Sequence, residues 1–353
     1  MNSGMNSAFA FGLAFVLALV LTPLTRRFAK KVGAMCYPNS RSIHKIPVPY
    51  LGGIAIYLAS IMAMVAVGPT KGGAFPAVAI GGLIILIVGA IDDLRPMKPW
   101  QKAIGQLVSA VAVIMLGVSI SFFRNPFSGK IEMLGLLAIP LTILWVVSFE
   151  NLINFSDGLD GLAAGIAGIT SGAMVFAAAK AGAVQVAPEA AALAGAVFGF
   201  LPFNFHPASI FMGDAGAMYL GLALSVLSVQ GLVKSAVAMS VLAPILTLMV
   251  PISDMVFAIV RRKLSGRPAS SADRDHLHHR LLELGMSQRR AVFSIYLVSL
   301  CFGVLGLFSG FVPLTTGGPI AGLAVLGLFA FAYRAGLLTI GSKKPDRGRT
   351  RHG

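Results

Sequence analysis

Residues 75–96 read Phe-Pro-Ala-Val-Ala-Ile-Gly-Gly-Leu-Ile-Ile-Leu-Ile-Val-Gly-Ala-Ile-Asp-Asp-Leu-Arg-Pro. No polar side chain interrupts the run until Asp92 and Asp93, and a proline follows closely. A surface helix of a soluble domain would show a polar face at a 3.6-residue period. A run that is apolar all round, with about 20 residues available, is instead long enough to cross a bilayer as a helix. The stretch therefore predicts a membrane span that closes on two adjacent acids. Comparable apolar segments lie near 6–25, 51–68, 76–91, 103–122, 134–152, 161–180, 188–203, 215–232, 236–260, 291–311 and 319–340. The expected fold is all-α and polytopic, with about eleven spans, or ten if the break between 152 and 161 is no boundary. One helical domain covers 1–340, and a basic tail covers 341–353.

Composition agrees. The 353 residues are 56% hydrophobic and 12% charged, with mean hydropathy +0.84. Soluble domains carry roughly 25% charged residues, so this chain cannot cover its apolar mass with polar surface. Cys36 and Cys301 are the only cysteines, which excludes a disulfide framework and a cysteine metal site.

A net charge of +15 invites a nucleic-acid partner, but the distribution of that charge argues against one. With eleven spans, all of the 28 basic residues except Lys71, Arg124, Lys130, Lys180 and Lys234 fall on one side. The positive-inside rule makes that side cytoplasmic, with the N-terminus outside and the C-terminus inside. No basic residue precedes the first segment, so it is not expected to be a cleaved signal peptide.

The acids are sorted as well. Of 13, only Glu132 and Glu189 fall on the outer side, whereas all six histidines join the inner one. Asp and Glu contribute little to topology, so the bias implies one polar site at the cytoplasmic membrane surface. Its loops would be 26–50, 92–102, 151–161, 204–216 and 261–290. The plainer alternative, helix caps and pairs with nearby Arg or Lys, would account for about half of these acids.

Four polar runs carry the chemistry. Asp92 and Asp93 close the third span; neighbours on a helix point about 100° apart, so the two should reach different partners. Paired acids at a membrane boundary suit a divalent cation or a general base. The second run, Asn151-Leu-Ile-Asn154-Phe-Ser-Asp157-Gly-Leu-Asp160-Gly161, joins two apolar segments. Its three-residue spacing cannot keep all four polar groups on one straight helix face. A break at Gly158 and Gly161 would swing Asp160 back toward Asn154 and Asp157. The stripe Gly161, Gly165, Gly168 and Gly172 suits close helix packing. The third run, Asn204-Phe-His206-Pro-Ala-Ser-Ile-Phe211-Met-Gly-Asp214-Ala-Gly216, offers Asp214 as an N-cap or a metal ligand. Phe211 is either an interface anchor or a ring that stacks on a base. The fourth run, from Arg261-Arg262-Lys263 to Asp273-Arg274-Asp275-His276-Leu277-His278-His279-Arg280, lacks zinc-ligand spacing. Its alternating His and Arg suit phosphate oxygens and neutralisation of their charge. Leu281 to Leu284, with Arg289 and Arg290, could form a short interfacial helix. Pro244 and Pro251 predict a kink in the ninth segment.

Taken together, Asp92-Asp93, Asn-x-x-Asn-x-x-Asp-Gly-Leu-Asp-Gly, Phe-Met-Gly-Asp-Ala-Gly and His-x-His-His resemble the polyprenyl-phosphate N-acetylhexosamine-1-phosphate transferases, from about residue 38 to 290. Arg41-Ser-Ile-His44 before Pro47-Val-Pro49-Tyr-Leu-Gly52-Gly53, and Asp273-Arg274-Asp275-His276, are similar to the N-acetylglucosamine-1-phosphate branch; Ala269 departs from it, standing where Ser-Pro is expected. The resemblance implies a bacterial plasma-membrane enzyme whose site faces the cytoplasm. Its expected partners are a UDP-N-acetylhexosamine, undecaprenyl phosphate and the bilayer, with no nucleic acid and with room for a homo-oligomer. It implies Mg²⁺, with Mn²⁺ as a substitute, held by Asp214 with Asn154 beside it. Asp92 or Asp93 would take the lipid-phosphate proton, and Asp157, His278 and His279 would complete the catalytic set. Arg41, His44, Lys45, Asn151, Asn154, Asp160, Asn204, Phe211, Arg262, Arg274 and His276 would bind substrate. A sister transferase using another UDP-N-acetylhexosamine or UDP-muramoyl-pentapeptide is the nearest alternative. An ion-coupled transporter is more distant, because its acids would lie near the bilayer midplane, often in inverted repeats.

Overall fold

The structure, a computed structural model, describes residues 3–38, 46–68, 73–124, 130–183, 185–235, 239–264, 266, 276–309 and 314–334. Each expected apolar segment overlaps helix, although the fourth, 103–122, leaves the helix after Met115; the helices are α1 (Ser3–Lys31), α2 (Gly52–Val67), α3 (Phe75–Leu94), α4 (Pro99–Met115), α5 (Ala138–Ser156), α6 (Leu162–Lys180), α7 (Val186–Asn204), α8 (Gly213–Ser235), α9 (Met239–Thr247), α10 (Met249–Leu264), α11 (Leu277–Glu283), α12 (Gln288–Ser309) and α13 (Leu314–Arg334). Among the described residues, α1, α3, α5 with its preceding turn, α6, α7 and α12 are long and apolar enough to cross a membrane. The fold is that of an all-α membrane protein. Two antiparallel hairpins are the exceptions: β1 (Met35–Cys36) with β2 (Val48–Pro49), and β3 (Phe122–Arg124) with β4 (Ile131–Met133).

Three boundaries correct the sequence-based expectations. The second polar run is mostly helical, because α5 continues through Ser156 and leaves only 157–161 as a turn. The ninth segment divides into α9 and α10 around Leu248, since Pro251 has no N–H to offer the Thr247 carbonyl one turn earlier. The short helix after the histidines starts at Leu277, and Arg289 and Arg290 belong to α12 instead.

The core gathers on α8, whose apolar residues from Ala215 to Val229 are buried. Small residues let its neighbours approach to backbone distance. A Cβ on Gly53 of α2 would lie 2.2 Å from the Gly216 nitrogen, and one on Gly89 of α3 would lie 2.4 Å from the Ala215 nitrogen. A Cβ on Gly221 would lie 2.4 Å from the Phe149 carbonyl oxygen of α5. The expected glycine stripe on α6 receives aromatic rings: Gly161, Gly165 and Gly168 face Phe205, Tyr296 and Phe198, while Gly172 faces open space.

The β1–β2 hairpin seats the start of α8 from the other side. Phe211 N–H donates to the Pro49 carbonyl at 2.9 Å, while Gly52 and Gly53 N–H donate to the Phe211 and Met212 carbonyls at 2.9 and 3.0 Å.

Candidate active site

The first turn of a helix exposes N–H groups that need acceptors. At α8 that acceptor is Asp93, the last-turn acid of α3, which takes the N–H groups of Asp214 and Ala215 at 2.8 and 3.3 Å. Gly213 makes the approach feasible: its φ is +70°, and a Cβ there would lie 2.2 Å from the Asp93 carboxylate. Asp93 therefore caps α8, and Asp214 is freed from the capping role.

Asp214 does not stand isolated. Its Oδ1 accepts from the Asn154 amide of α5 at 2.8 Å, and its Oδ2 accepts from the Lys102 ammonium of α4. Lys102 also donates to Asp92 Oδ2 and to Asn154 Oδ1, each at 3.3 Å. The remaining Asp92 oxygen takes the Met97 N–H at 2.5 Å, closing the turn between α3 and α4. The two neighbouring acids thus reach different partners, as their helical spacing requires. Asp214 and Lys102 keep side-chain exposures of 31% and 19%, so a ligand can reach them.

Asp157 follows the last residue of α5. Desolvation, and then the like charges of Asp214, Asp93 and Asp160, push its carboxyl up to about 8. Asp160 does not swing back toward Asn154. Its Oδ2 accepts from the His206 ring at 2.8 Å and from Ala208 N–H at 3.1 Å, so it ties the turn to the loop before α8. Arg289 holds the His206 carbonyl at 3.0 Å, and the Tyr296 hydroxyl donates to the Gly161 carbonyl. Asn204 is buried and donates to the Ile210 carbonyl at 3.1 Å, while its side-chain oxygen has no hydrogen-bond partner among the described residues. Phe211 is half-buried with its ring tilted against Tyr50, centroids 6.0 Å apart. Asn151 turns away from the acids and donates to Gln106 on α4 at 3.2 Å.

The histidine run reaches the same turn. Asp254 of α10 accepts from the His276 ring at 3.0 Å and from Leu277 N–H at 2.9 Å, which fixes the start of α11. His278 then lies against Gly158, where a Cβ would sit 2.4 Å from its Nε2. Burial, and then the neighbouring His279, hold the His278 imidazole down at about 4. It is therefore neutral near pH 7 and offers hydrogen bonds. His279 sits beside it with ring centroids 4.4 Å apart, and Arg262 lies half-buried in the last turn of α10. Arg41, His44, Lys45 and Arg274 fall outside the described residues.

Sequence reasoning missed Lys102, counting it only toward the positive side of the membrane. Its signal was position: a cation in the first turn of an apolar segment, just after two acids. It also placed Glu150 at the polar face, whereas Glu150 is fully buried within α5.

The glycosyl transferase family 4 model matches residues 75–232, which carry Asp92, Asp93, Lys102, Asn154, Asp157 and Asp214 but not the histidine run. The chain is 39% identical over 295 residues to a probable undecaprenyl-phosphate N-acetylglucosaminyl 1-phosphate transferase of Bacillus subtilis (strain 168), covering 84% of this chain and 82% of that protein. It is 37% identical over 313 residues to the decaprenyl-phosphate N-acetylglucosaminephosphotransferase of Mycobacterium tuberculosis (strain ATCC 25618 / H37Rv), covering 80% of this chain and 78% of the other. A phospho-N-acetylmuramoyl-pentapeptide-transferase of Shouchella clausii (strain KSM-K16) is 30% identical over 321 residues, covering 86% of this chain and 97% of that protein.

Proposed function

The chain belongs to glycosyl transferase family 4, and on that premise we propose that it transfers N-acetylglucosamine 1-phosphate from UDP-N-acetylglucosamine to undecaprenyl phosphate, releasing UMP. At the level of class it is a membrane-embedded phosphosugar transferase of cell-wall biosynthesis. The observation that carries the finer proposal is the convergence of Asp214, Lys102 and Asn154 beside Asp92. A site that joins two phosphorylated substrates needs such a mixture of fixed acids, one cation and an orienting amide.

An oxygen of the lipid phosphate forms a bond to the β-phosphorus. The bond from that phosphorus to the bridging oxygen breaks, and its electron pair leaves with UMP. Asp92, which faces Lys102 within the cluster, suits proton removal from the lipid phosphate better than Asp93, which is committed to backbone N–H groups at the start of α8. Lys102 offers its ammonium to phosphoryl oxygens, with His279 and Arg262 as further donors. Phe211 and Asn204 suit the uracil, one as a stacking face and the other through its buried, unpartnered carbonyl oxygen.

Mg²⁺ fits the donor chemistry, since Asp214, Asp157 and Asn154 offer oxygen ligands. Among the described residues no ready set of three His, Cys, Asp or Glu ligands is gathered. Mg²⁺ usually takes one or two protein side chains and otherwise substrate phosphates and water. Asp214 and Asn154 would hold it, and it would neutralise charge on the two phosphates. The strong charge bias supports eleven crossings with the N-terminus outside and this site facing the cytoplasm.

The runner-up donor is UDP-muramoyl-pentapeptide, favoured by the nearly full-length match to the Shouchella protein. Purified protein given undecaprenyl phosphate, Mg²⁺ and each UDP-sugar in turn separates the two by the mass of the lipid product. The expected product is undecaprenyl diphosphate N-acetylglucosamine. A muramoyl-pentapeptide lipid formed in its place would overturn the donor assignment.

A further inference from the structure

Glu150 is an acid that the chemistry above leaves unused. It lies six residues before the end of α5, about 9 Å up the helix. Its side chain is fully buried; Oε1 meets the Ser109 hydroxyl of α4 at 2.8 Å, and Oε2 has no hydrogen-bond partner among the described residues. Gly221 of α8 closes over it, since a Cβ there would sit 2.5 Å from the Glu150 Cα. Among the described residues it has no ion-pair partner. An acid in such a place is costly unless it secures something in return.

What it secures is visible along the seam between α4 and α5. The two helices run antiparallel and share three polar rungs: Lys102 with Asn154 at 3.3 Å, Gln106 with Asn151 at 3.2 Å, and Ser109 with Glu150 at 2.8 Å. Residues 102, 106 and 109 follow i, i+4, i+7 spacing and so lie on one face of α4. The first rung is part of the site, because Lys102 also holds Asp92 and Asp214. Glu150 forms the deepest rung. Sliding α4 against α5 would displace the ammonium from both acids.

We propose that Glu150 is a positioning residue for Lys102, locking the register of α4 on α5 through hydrogen bonding and not through charge. The proposal rests on the transferase reading. Misplacement of a reacting group by about 1 Å can cost 10²-fold in rate. Glu150→Leu, which keeps the volume and deletes the rung, should therefore lower kcat roughly ten- to hundredfold. KM for UDP-N-acetylglucosamine should change little, because the nucleotide side is untouched. Glu150→Gln, which hydrogen-bonds without charge, should restore kcat to near the wild-type value. Ser109→Ala, which breaks the same rung from α4, should lose kcat in the same direction. It carries the test if the leucine variant does not fold.

In a Lys102→Met background, Glu150→Leu should add little further loss, since both changes act through one group. Three results overturn the proposal: full kcat in both Glu150→Leu and Ser109→Ala, a Glu150→Gln variant as impaired as the leucine one, or losses that add fully in the double variant. Wild-type protein that releases no UMP from any UDP-sugar would instead sink the transferase reading itself. Active wild type with indifferent Glu150 variants would sink only this inference.

Discussion

Each end of α3 is joined to a carboxylate that caps a helix. At its start, Ala74 and Phe75 N–H donate to Glu189 of α7, each at 3.1 Å. At its end, Asp93 accepts the Asp214 and Ala215 N–H groups of α8 at 2.8 and 3.3 Å. The elementary physics is the same, a negative group satisfying orphan donors at the positive end of a helix. What differs is the company. At α8 the capped helix carries its own acid, and Asp92, Lys102 and Asn154 converge on it from α3, α4 and α5. A cap fixes a helix; a site arises where the capped helix delivers a reactive group to side chains from other elements.

The largest test of this contrast is removal of the delivered groups. Asp214→Asn or Lys102→Met should lower UMP release by at least 10²–10³-fold, the usual cost of one transition-state contact, while the protein stays folded in detergent. Equal activity would dissolve the distinction between the two ends of α3. Next comes the seat of α8. Gly53→Ala would drive a Cβ to 2.2 Å from the Gly216 backbone nitrogen, which cannot yield as a side chain can. Overpacking of this kind costs about 1–3 kcal/mol, so thermal unfolding should occur earlier and activity should fall as Asp214 shifts. Gly172→Ala, with nothing within 4 Å, should leave both unchanged.

Smaller still is the effect at the other end of α3. Glu189→Gln should cost about 1 kcal/mol of stability, as lost caps do, and leave turnover close to wild type. A large loss of turnover with normal stability would extend the functional site to that end. Least visible near pH 7 is a pH dependence of stability. His278 is held at about 4 in the folded chain against an ordinary value of 6.5. Between those values the unfolded chain binds a proton that the folded chain refuses, so stability should fall as pH drops from 6.5 toward 4. Asp254, His276 and His279 share this neighbourhood, so the comparison is with His278→Gln, whose melting temperature should fall less over that window.

Much of this was legible in the sequence, for a physical reason. Apolar runs have to be helices in a bilayer, where backbone groups find no water, so the segments near 6–25 through 319–340 located their helices. The polar runs hold side chains that meet around Asp214, although most of the second run is helix. Side-chain roles were less legible. Asp93, Asp160 and Asp254 hold backbone N–H groups across loops distant in sequence, so nothing local distinguishes them from Asp214. Lys102 was hidden among residues whose charge topology already explained. Glu150 was misplaced because four further residues of α5 extend past the expected end of the span at 152. The burial of His278 was not legible, because it depends on α11 folding back onto the turn at 157–161.

In the proposed reaction Asp214 and Lys102, delivered to one another by the Asp93 cap, act on the phosphates. The most direct measurement is the initial rate of UMP release from UDP-N-acetylglucosamine and undecaprenyl phosphate, taken side by side for wild type, Lys102→Met and Glu189→Gln. The expected result is release by wild type and Glu189→Gln at similar rates, with Lys102→Met slower by at least about 10²-fold. Comparable rates for Lys102→Met and wild type would contradict it.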